Sequence, residues 1–431
     1  VERKQMKQHK GFTYETLINR ILFIVHTAVC VYFAILSFQV VRTVKPLPTS
    51  DFIYYWNLAS DLSIYHKGGI IGFIYAPFKA FGIAPYWSAF IVNSFFLGLV
   101  YLSTWLTFKK FRHPVGIMGQ LLMTAGLAMF GLWNAAYSGL VNADFPNVAL
   151  LIVATRGFSL FGANKKKGWL IFAGFMLFFA VALRVKTGLA LGIIVFIIGL
   201  FHFGTIKKER VAQWVILVIC LSVGFAAVSE ILLRSQSDSK LDVARQGRLQ
   251  LYTGLLYTET GSMCGRWTKA AFEKTLEEID VPLLEVIERH LSVKSKRYIL
   301  EIIGCKIDHV LKYDEFAYRE LLAFGVKHRA YTDADLEIVR AYEKIEETWV
   351  NRFKNLVYVM VALTLLLWRR LKIPFAIAPF AIYFSFLLLH SIFEIQARYM
   401  VEPLLWSYYA AVCLIFEVSI NRVKKTHDTV Q

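Results

Sequence analysis

The sequence predicts an all-α polytopic membrane protein: a bundle of about ten transmembrane helices with a helical extracytoplasmic segment. Three observations carry that expectation: an excess of apolar over charged residues, long apolar runs, and basic clusters that punctuate the runs. Of 431 residues, 57% are hydrophobic and 18% charged, against roughly 45–50% and 25% in soluble domains. The runs at 17–40 and 399–420 are too long and apolar for most soluble helices. A span takes ~20 apolar residues, because ~30 Å of hydrocarbon is crossed at ~1.5 Å per residue with every amide paired internally.

The net charge of +17 is unevenly placed. Residues 233–350 hold 18 Lys/Arg against 20 Asp/Glu, and the rest of the chain holds 30 against 11. A nucleic-acid surface would gather its cations in one soluble patch. Here they end apolar runs, so they mark cytoplasmic loops and nucleic acid is not an expected partner. The clusters lie at 3–20, Lys109/Lys110/Arg112, Lys165–Lys167, Lys207/Lys208/Arg210, Arg369/Arg370/Lys372 and Arg422/Lys424/Lys425. An even number of crossings between neighbours gives spans at 18–40, 86–108, 114–133, 147–163, 168–184, 188–204, 211–232, 354–368, 373–390 and 400–420. Both termini are then cytoplasmic. The apolar length of the first run exceeds the ~7–15 residues of a signal peptide, so it is read as retained.

Three regions follow: 1–232 with spans one to seven and an outer loop at 41–85, a polar extracytoplasmic segment at 233–350, and 351–431 with the last three spans. Helical stretches are expected in the segment at 267–290, 312–325 and 333–350, the last packed above the membrane. Short spans such as 147–163 and 168–184 suit helices that line a water-filled vestibule. Cys30, Cys220 and Cys413 lie in apolar runs as small core residues. Cys264 and Cys305 share the polar segment, where an extracytoplasmic location would permit a disulfide that spacing alone does not establish.

Chemistry would sit among polar residues at the outer ends of the spans. Asp51 follows the first span in TVKPLPTSDFIYYWNLAS. A carboxylate there can take a proton from a hydroxyl nucleophile or bind a divalent cation. It equally suits the start of a short interfacial helix at 52–65 behind a Ser50 cap, with Asp61 as a solvated acid. Asp144, between Asn142 and Pro146, has the form of a helix start and is also a candidate second acid facing the pocket. Arg184 and Lys186 stand outside against the prevailing charge rule, with no acid beside them in sequence. Arginine holds phosphate oxygens bidentately and lysine adds a mobile point charge; snorkelling to headgroups is the plainer role.

The densest group is His390, Glu394, Gln396, Arg398 and Tyr399, in HSIFEIQARY. On a helix, His390 and Glu394 would share a face, as would Glu394 and Arg398. That pair would orient one cation while leaving donors for phosphate. No HExxH or second histidine supports zinc. YTGLLYTETGSMCGRW (252–267) lacks a GxxxxGKS/T loop, so nucleotide binding is not expected; its aromatics, hydroxyls and Arg266 suit sugar contacts.

Three strings, taken together, resemble the GT-C superfamily of polytopic glycosyltransferases, mannosyltransferase-like, that use polyprenyl- or dolichyl-phosphate sugars. They are TSDFIYYWNLAS with FIYAPF, NADFPNVALLIVATRGF with AGFMLFFAVALRVKTGLAL, and HSIFEIQARYMVEP. The resemblance implies that Asp51 acts as base toward an acceptor hydroxyl or helps hold a metal, and that Lys186 and Arg398 contact the lipid phosphate. It implies a polyprenyl-phosphate-linked sugar as donor and a cell-envelope glycan, lipid or protein as acceptor; direct displacement would invert the anomeric centre, and the basic charge and retained first helix suit a bacterial plasma membrane with the site at its outer face. Relatives with Gly-Gln before the middle Asn, or with paired acids in the first loop, differ from Asn142-Ala143-Asp144 and Asp51-Phe52 here. No cofactor is therefore certain, and a divalent cation (Mg or Mn) stays open. The alternative is a polysaccharide polymerase or O-antigen-type ligase on lipid-diphosphate glycans, depending on arginine and histidine. A lipid or sugar transporter comes third, since Glu230 and Glu417 lie near span ends rather than at mid-membrane.

Overall fold

The computed structural model describes residues 2–46, 51–60, 70–108, 114–164, 166–202, 248–258, 264–266, 268–294, 296–312, 332–371, 374–393 and 397–428. Among these, 90% are helical and none lies in a strand. The helices are α1 (Glu2–Val44), α2 (Asp51–Leu58), α3 (Ile70–Ala80), α4 (Pro85–Phe108), α5 (Pro114–Tyr137), α6 (Asp144–Asn164), α7 (Lys167–Leu183) and α8 (Val185–His202). The polar segment adds a π-turn (Tyr252–Leu256), α9 (Lys269–Glu278), α10 (Leu283–Val293) and α11 (Lys296–Lys312). Last come α12 (Asp333–Leu371), α13 (Ala378–Ile392), a 3-10 turn (Ala397–Met400) and α14 (Val401–Asp428).

Helices stand at nine of the ten expected spans; the stretch 211–232 lies outside the described residues. Among the described residues, four helices are long and apolar enough to cross a membrane: Thr16–Val44, Pro85–Trp105, Gly116–Tyr137 and Arg340–Leu367. Lys167–Leu183, Lys186–Leu200, Ala378–Ile392 and Val401–Phe416 are apolar but shorter. α4 and α5 each begin on a proline, whose missing N–H costs nothing at a first helical position.

α6 is the centre of the bundle, packed against α4, α7 and α14. Residues 144–154 of it are all buried, so it is covered on every side rather than on one stripe. Around the outside, Ile171 (72% exposed), Phe196 (65%) and Leu366 (75%) face outward. An apolar exterior around an apolar core that also encloses polar groups is an arrangement compatible with lipid. Some interior polar groups are paired between helices. His26 lies between Thr104 (2.9 Å) and Thr124 (3.0 Å), joining α1, α4 and α5. Asn134 donates to Ser37 Oγ at 2.9 Å.

The polar segment departs from expectation in three ways. The stretch 267–290 is two helices, α9 and α10, divided at Val281 and Pro282. α11 was not anticipated, and 313–325 lies outside the described residues. The stretch 333–350 is no separate element: it continues without interruption into the next span as the 39-residue α12. Cys264 and Cys305 form a disulfide, with Cα atoms 6.4 Å apart across 41 residues.

Candidate functional site

One end of the bundle gathers the C-terminus of α1, the start of α2, the α5–α6 loop, the α7–α8 junction and the α13–α14 turn. Gly139 lets the α5–α6 loop approach the chain leaving α1: a Cβ there would meet Pro46 Cδ at 2.6 Å. Phe52 sets its ring edge against Tyr137, placing the first turn of α2 beside the loop that leads to α6. Asn142 starts α6, its side-chain oxygen accepting from Phe145 N–H at 2.9 Å. Phe145 stacks on Phe130 (4.2 Å) and packs on Trp133 (5.4 Å), so the position of Asp144 is fixed by an aromatic wedge.

The α7–α8 junction is a single extended residue, Arg184, at φ −143° and ψ 108°. Two cations, Arg184 itself and Lys186, lie within three positions, and each finds a carboxylate. Arg184 donates to Asp144, an interaction between α6 and the junction. Lys186 Nζ lies 3.0 Å from Glu402 Oε2 in the first turn of α14. Glu402 Oε1 accepts from Asn147 Nδ2 at 2.7 Å and Thr187 Oγ1 at 2.9 Å, while Asn147 also donates to Thr187 at 3.0 Å. Three helices thus meet on one carboxylate whose side chain is 3% exposed. Arg184 and Lys186 keep more access, at 13% and 20%. Among the described residues, Arg184 Nε is buried without a hydrogen-bond partner.

Aromatic rings complete the wall. Lys186 Nζ sits 4.3 Å from the ring centre of Tyr399 and 6.0 Å from that of Phe386. Tyr399 stacks on His390 with centroids 5.2 Å apart and 16° between planes. A cation held between a carboxylate and ring faces is oriented without being sequestered from a further anion.

Five of the nine sequence candidates converge here: Asp144, Arg184, Lys186, His390 and Tyr399. The expectation that Arg184 and Lys186 lack acids holds only along the chain, because Asp144 and Glu402 arrive from other helices. The i,i+4 pairing expected through HSIFEIQARY does not form as one helix. α13 ends at Ile392, Phe393 is extended, and Ala397–Met400 is a separate 3-10 turn. His390 instead reaches Tyr399. Glu394 and Gln396 lie outside the described residues, as does the side chain of Arg398. Asp51 opens α2, which ends at Leu58 rather than running to 65. Its side chain, like Ser50 and Asp61, lies outside the described residues.

Sequence reasoning missed Glu402, Asn147 and Thr187. The available signal was a polar residue in the first turn of each of three apolar helices. Asp144 and Glu402 direct their carboxylates at cationic side chains, so they are set to orient Arg184 and Lys186; a divalent cation at Asp51 rests on sequence alone. Among the described residues, Cys264, Cys305 and His309 are the group with metal-ligand proximity, and both sulfurs there belong to the disulfide. No family model, curated protein or solved structure matches the chain.

Proposed function

We propose that the chain is a multi-pass membrane glycosyltransferase that moves a sugar from a polyprenyl-phosphate donor to a cell-envelope hydroxyl on the outer side of a bacterial plasma membrane. The carrying observation is the pair of cations at the α7–α8 break, each oriented by a carboxylate and one of them facing Tyr399. Two orientable cations beside aromatic faces suit a phosphate joined to a sugar ring. The guanidinium has five donors, and Asp144 occupies only part of that fork. The apolar exterior supports lateral approach of a lipid tail.

In this reading the donor phosphate lies against Arg184 and Lys186, which stabilise the charge that grows on it as the anomeric C–O bond breaks. The acceptor oxygen forms the new bond to that carbon, and its proton passes to Asp51 at the start of α2. The electron pair of the broken bond leaves with the phosphate. Asp144 and Glu402 hold the cations, and attack by the acceptor on the face opposite the leaving phosphate inverts the anomeric centre. The same cations would also suit the diphosphate of a polymerase or ligase substrate, with His390 in place of Asp51.

Purified protein in liposomes, supplied with radiolabelled polyprenyl-phosphate sugars and extracted envelope acceptors, tests the reading. Transfer is expected from wild type, with at least a hundredfold loss in Lys186→Met and in Asp51→Asn. Wild-type transfer retained in Asp51→Asn would remove Asp51 as the base. Absence of transfer from every monophosphate donor, with activity on lipid-diphosphate oligosaccharides, would favour the polymerase or ligase.

A further inference from the structure

The polar segment meets the rim of the candidate site through a buried lysine. Lys306 of α11 has no exposed surface. Its ammonium donates to Gly254 O at 3.0 Å, within the π-turn, and to Phe393 O at 2.6 Å, the residue just past α13. Its methylene stem lies flat on Gly265, where a Cβ would come within 2.6 Å of Lys306 Cδ and where φ is +70°. The preceding residues of the same two strands of chain, Cys264 and Cys305, are the disulfide. Cys264-Gly265 and Cys305-Lys306 therefore form one unit: a covalent tie beside a polar clamp.

Other contacts place that unit over the turn that bears Tyr399. Val310, four residues on from Lys306, packs with Met400 and against Tyr383 and Leu387. Lys354 of α12 donates to Leu311 O at 3.0 Å at the end of α11. Met400 closes the 3-10 turn whose Tyr399 faces Lys186 and stacks on His390, and Phe393 follows α13, which bears His390.

A buried ammonium is costly unless its donors are met, and an apolar side chain would fill the same space at lower cost. What lysine supplies here, and methionine would not, is a directional grip on two carbonyls from separate parts of the chain. We propose that Lys306 is a positioning residue for the site rim, setting Phe393 and thereby Tyr399 over Lys186, with the Cys264–Cys305 disulfide holding it in register. Its structural part stands on these contacts; its effect on turnover rests on the glycosyl-transfer reading.

The test compares full-length wild type, Lys306→Met and Cys264→Ser/Cys305→Ser in lipid nanodiscs, by amide hydrogen exchange and by sugar transfer. Exchange at 397–403 is expected to rise at least tenfold in Lys306→Met, with α6–α8 unchanged. The double serine variant is expected to loosen 264–306 and the same rim amides together. Transfer is expected to show a donor KM raised about tenfold and kcat changed less than threefold. Unchanged rim exchange in Lys306→Met overturns the proposal. If that variant does not fold, a double serine variant with a loosened polar segment and an unchanged rim overturns it equally. A rise in rim exchange with no transfer by wild type keeps Lys306 as the positioning residue and rejects the glycosyl-transfer reading alone.

Discussion

At the site end of the bundle, Glu402 meets Asn147 from 255 residues away, with its carboxylate almost fully covered. In the polar segment, Arg297 meets Glu301 one helical turn along, and the arginine is 88% exposed. Lys269 and Glu273 pair in the same local way. The apolar contents differ to match. The bundle has one continuous core, whereas the segment has a small cluster around Tyr252, Leu256 and Val286 and adds a disulfide. Distant, buried pairs fix which helices meet; local, wet pairs decorate helices that other forces already hold. Water is the variable, because screening leaves exposed pairs little to contribute and its absence makes an unmatched charge expensive.

Substitutions can break or sharpen that contrast. Glu402→Ala leaves Lys186 without its carboxylate and is expected to cost about 3–5 kcal/mol of bundle stability, read as a shift in denaturant unfolding in detergent. A loss below ~1 kcal/mol, the exposed-pair range, would erase the contrast. Cys264→Ser/Cys305→Ser is expected to cost about 2–4 kcal/mol, felt in the polar segment and in the 397–403 rim it holds. Limited proteolysis checks this: cleavage should begin within 248–312 while the bundle fragments stay intact. Asn147→Ala removes a donor to a charged acceptor and is expected to cost about 1.5–3 kcal/mol. A double-mutant cycle with Glu402→Ala should be non-additive, since both act on one network.

The pH response should be smaller and localised. Burial holds His290 below its ordinary pKa; nearby Glu278 opposes that shift, while Lys294, Arg289 and Lys274 reinforce it. The folded state therefore resists the proton that the unfolded chain accepts. That contribution is complete above about pH 6.5 and is lost as pH falls through the lower folded value. Exchange of α10 amides should quicken on acidification, and His290→Gln should flatten the response. Smallest of all, Arg297→Ala is expected to change stability by less than ~0.5 kcal/mol, within the scatter of repeated unfolding curves.

The sequence spoke clearly where physics is local. Hydropathy located nine helices, and Asn142, Asp144 and Pro146 marked where α6 begins. Arg184 and Lys186 were visible because they interrupt an apolar stretch. Their partners were not, because no periodicity links Asp144 to Arg184 or Lys186 to Glu402; only packing brings them together. HSIFEIQARY misled for a related reason. Its spacing reads as helical through Phe393, whose carbonyl instead turns to Lys306. Lys306 itself reads as an ordinary surface lysine on an amphipathic helix. The pairing of Cys264 with Cys305 was left open by spacing and settled by proximity.

α12 has a mechanical consequence. At ~1.5 Å per residue, its 39 residues make a rod of about 58 Å, and the apolar part, Arg340–Leu367, takes up about 42 Å of it. Tyr342 pins the rod to Leu132 O of α5, and Lys354 pins α11 to the rod. A load applied to the polar segment would therefore act on a stiff lever anchored among the bundle helices, and torque rather than slack would reach the interior.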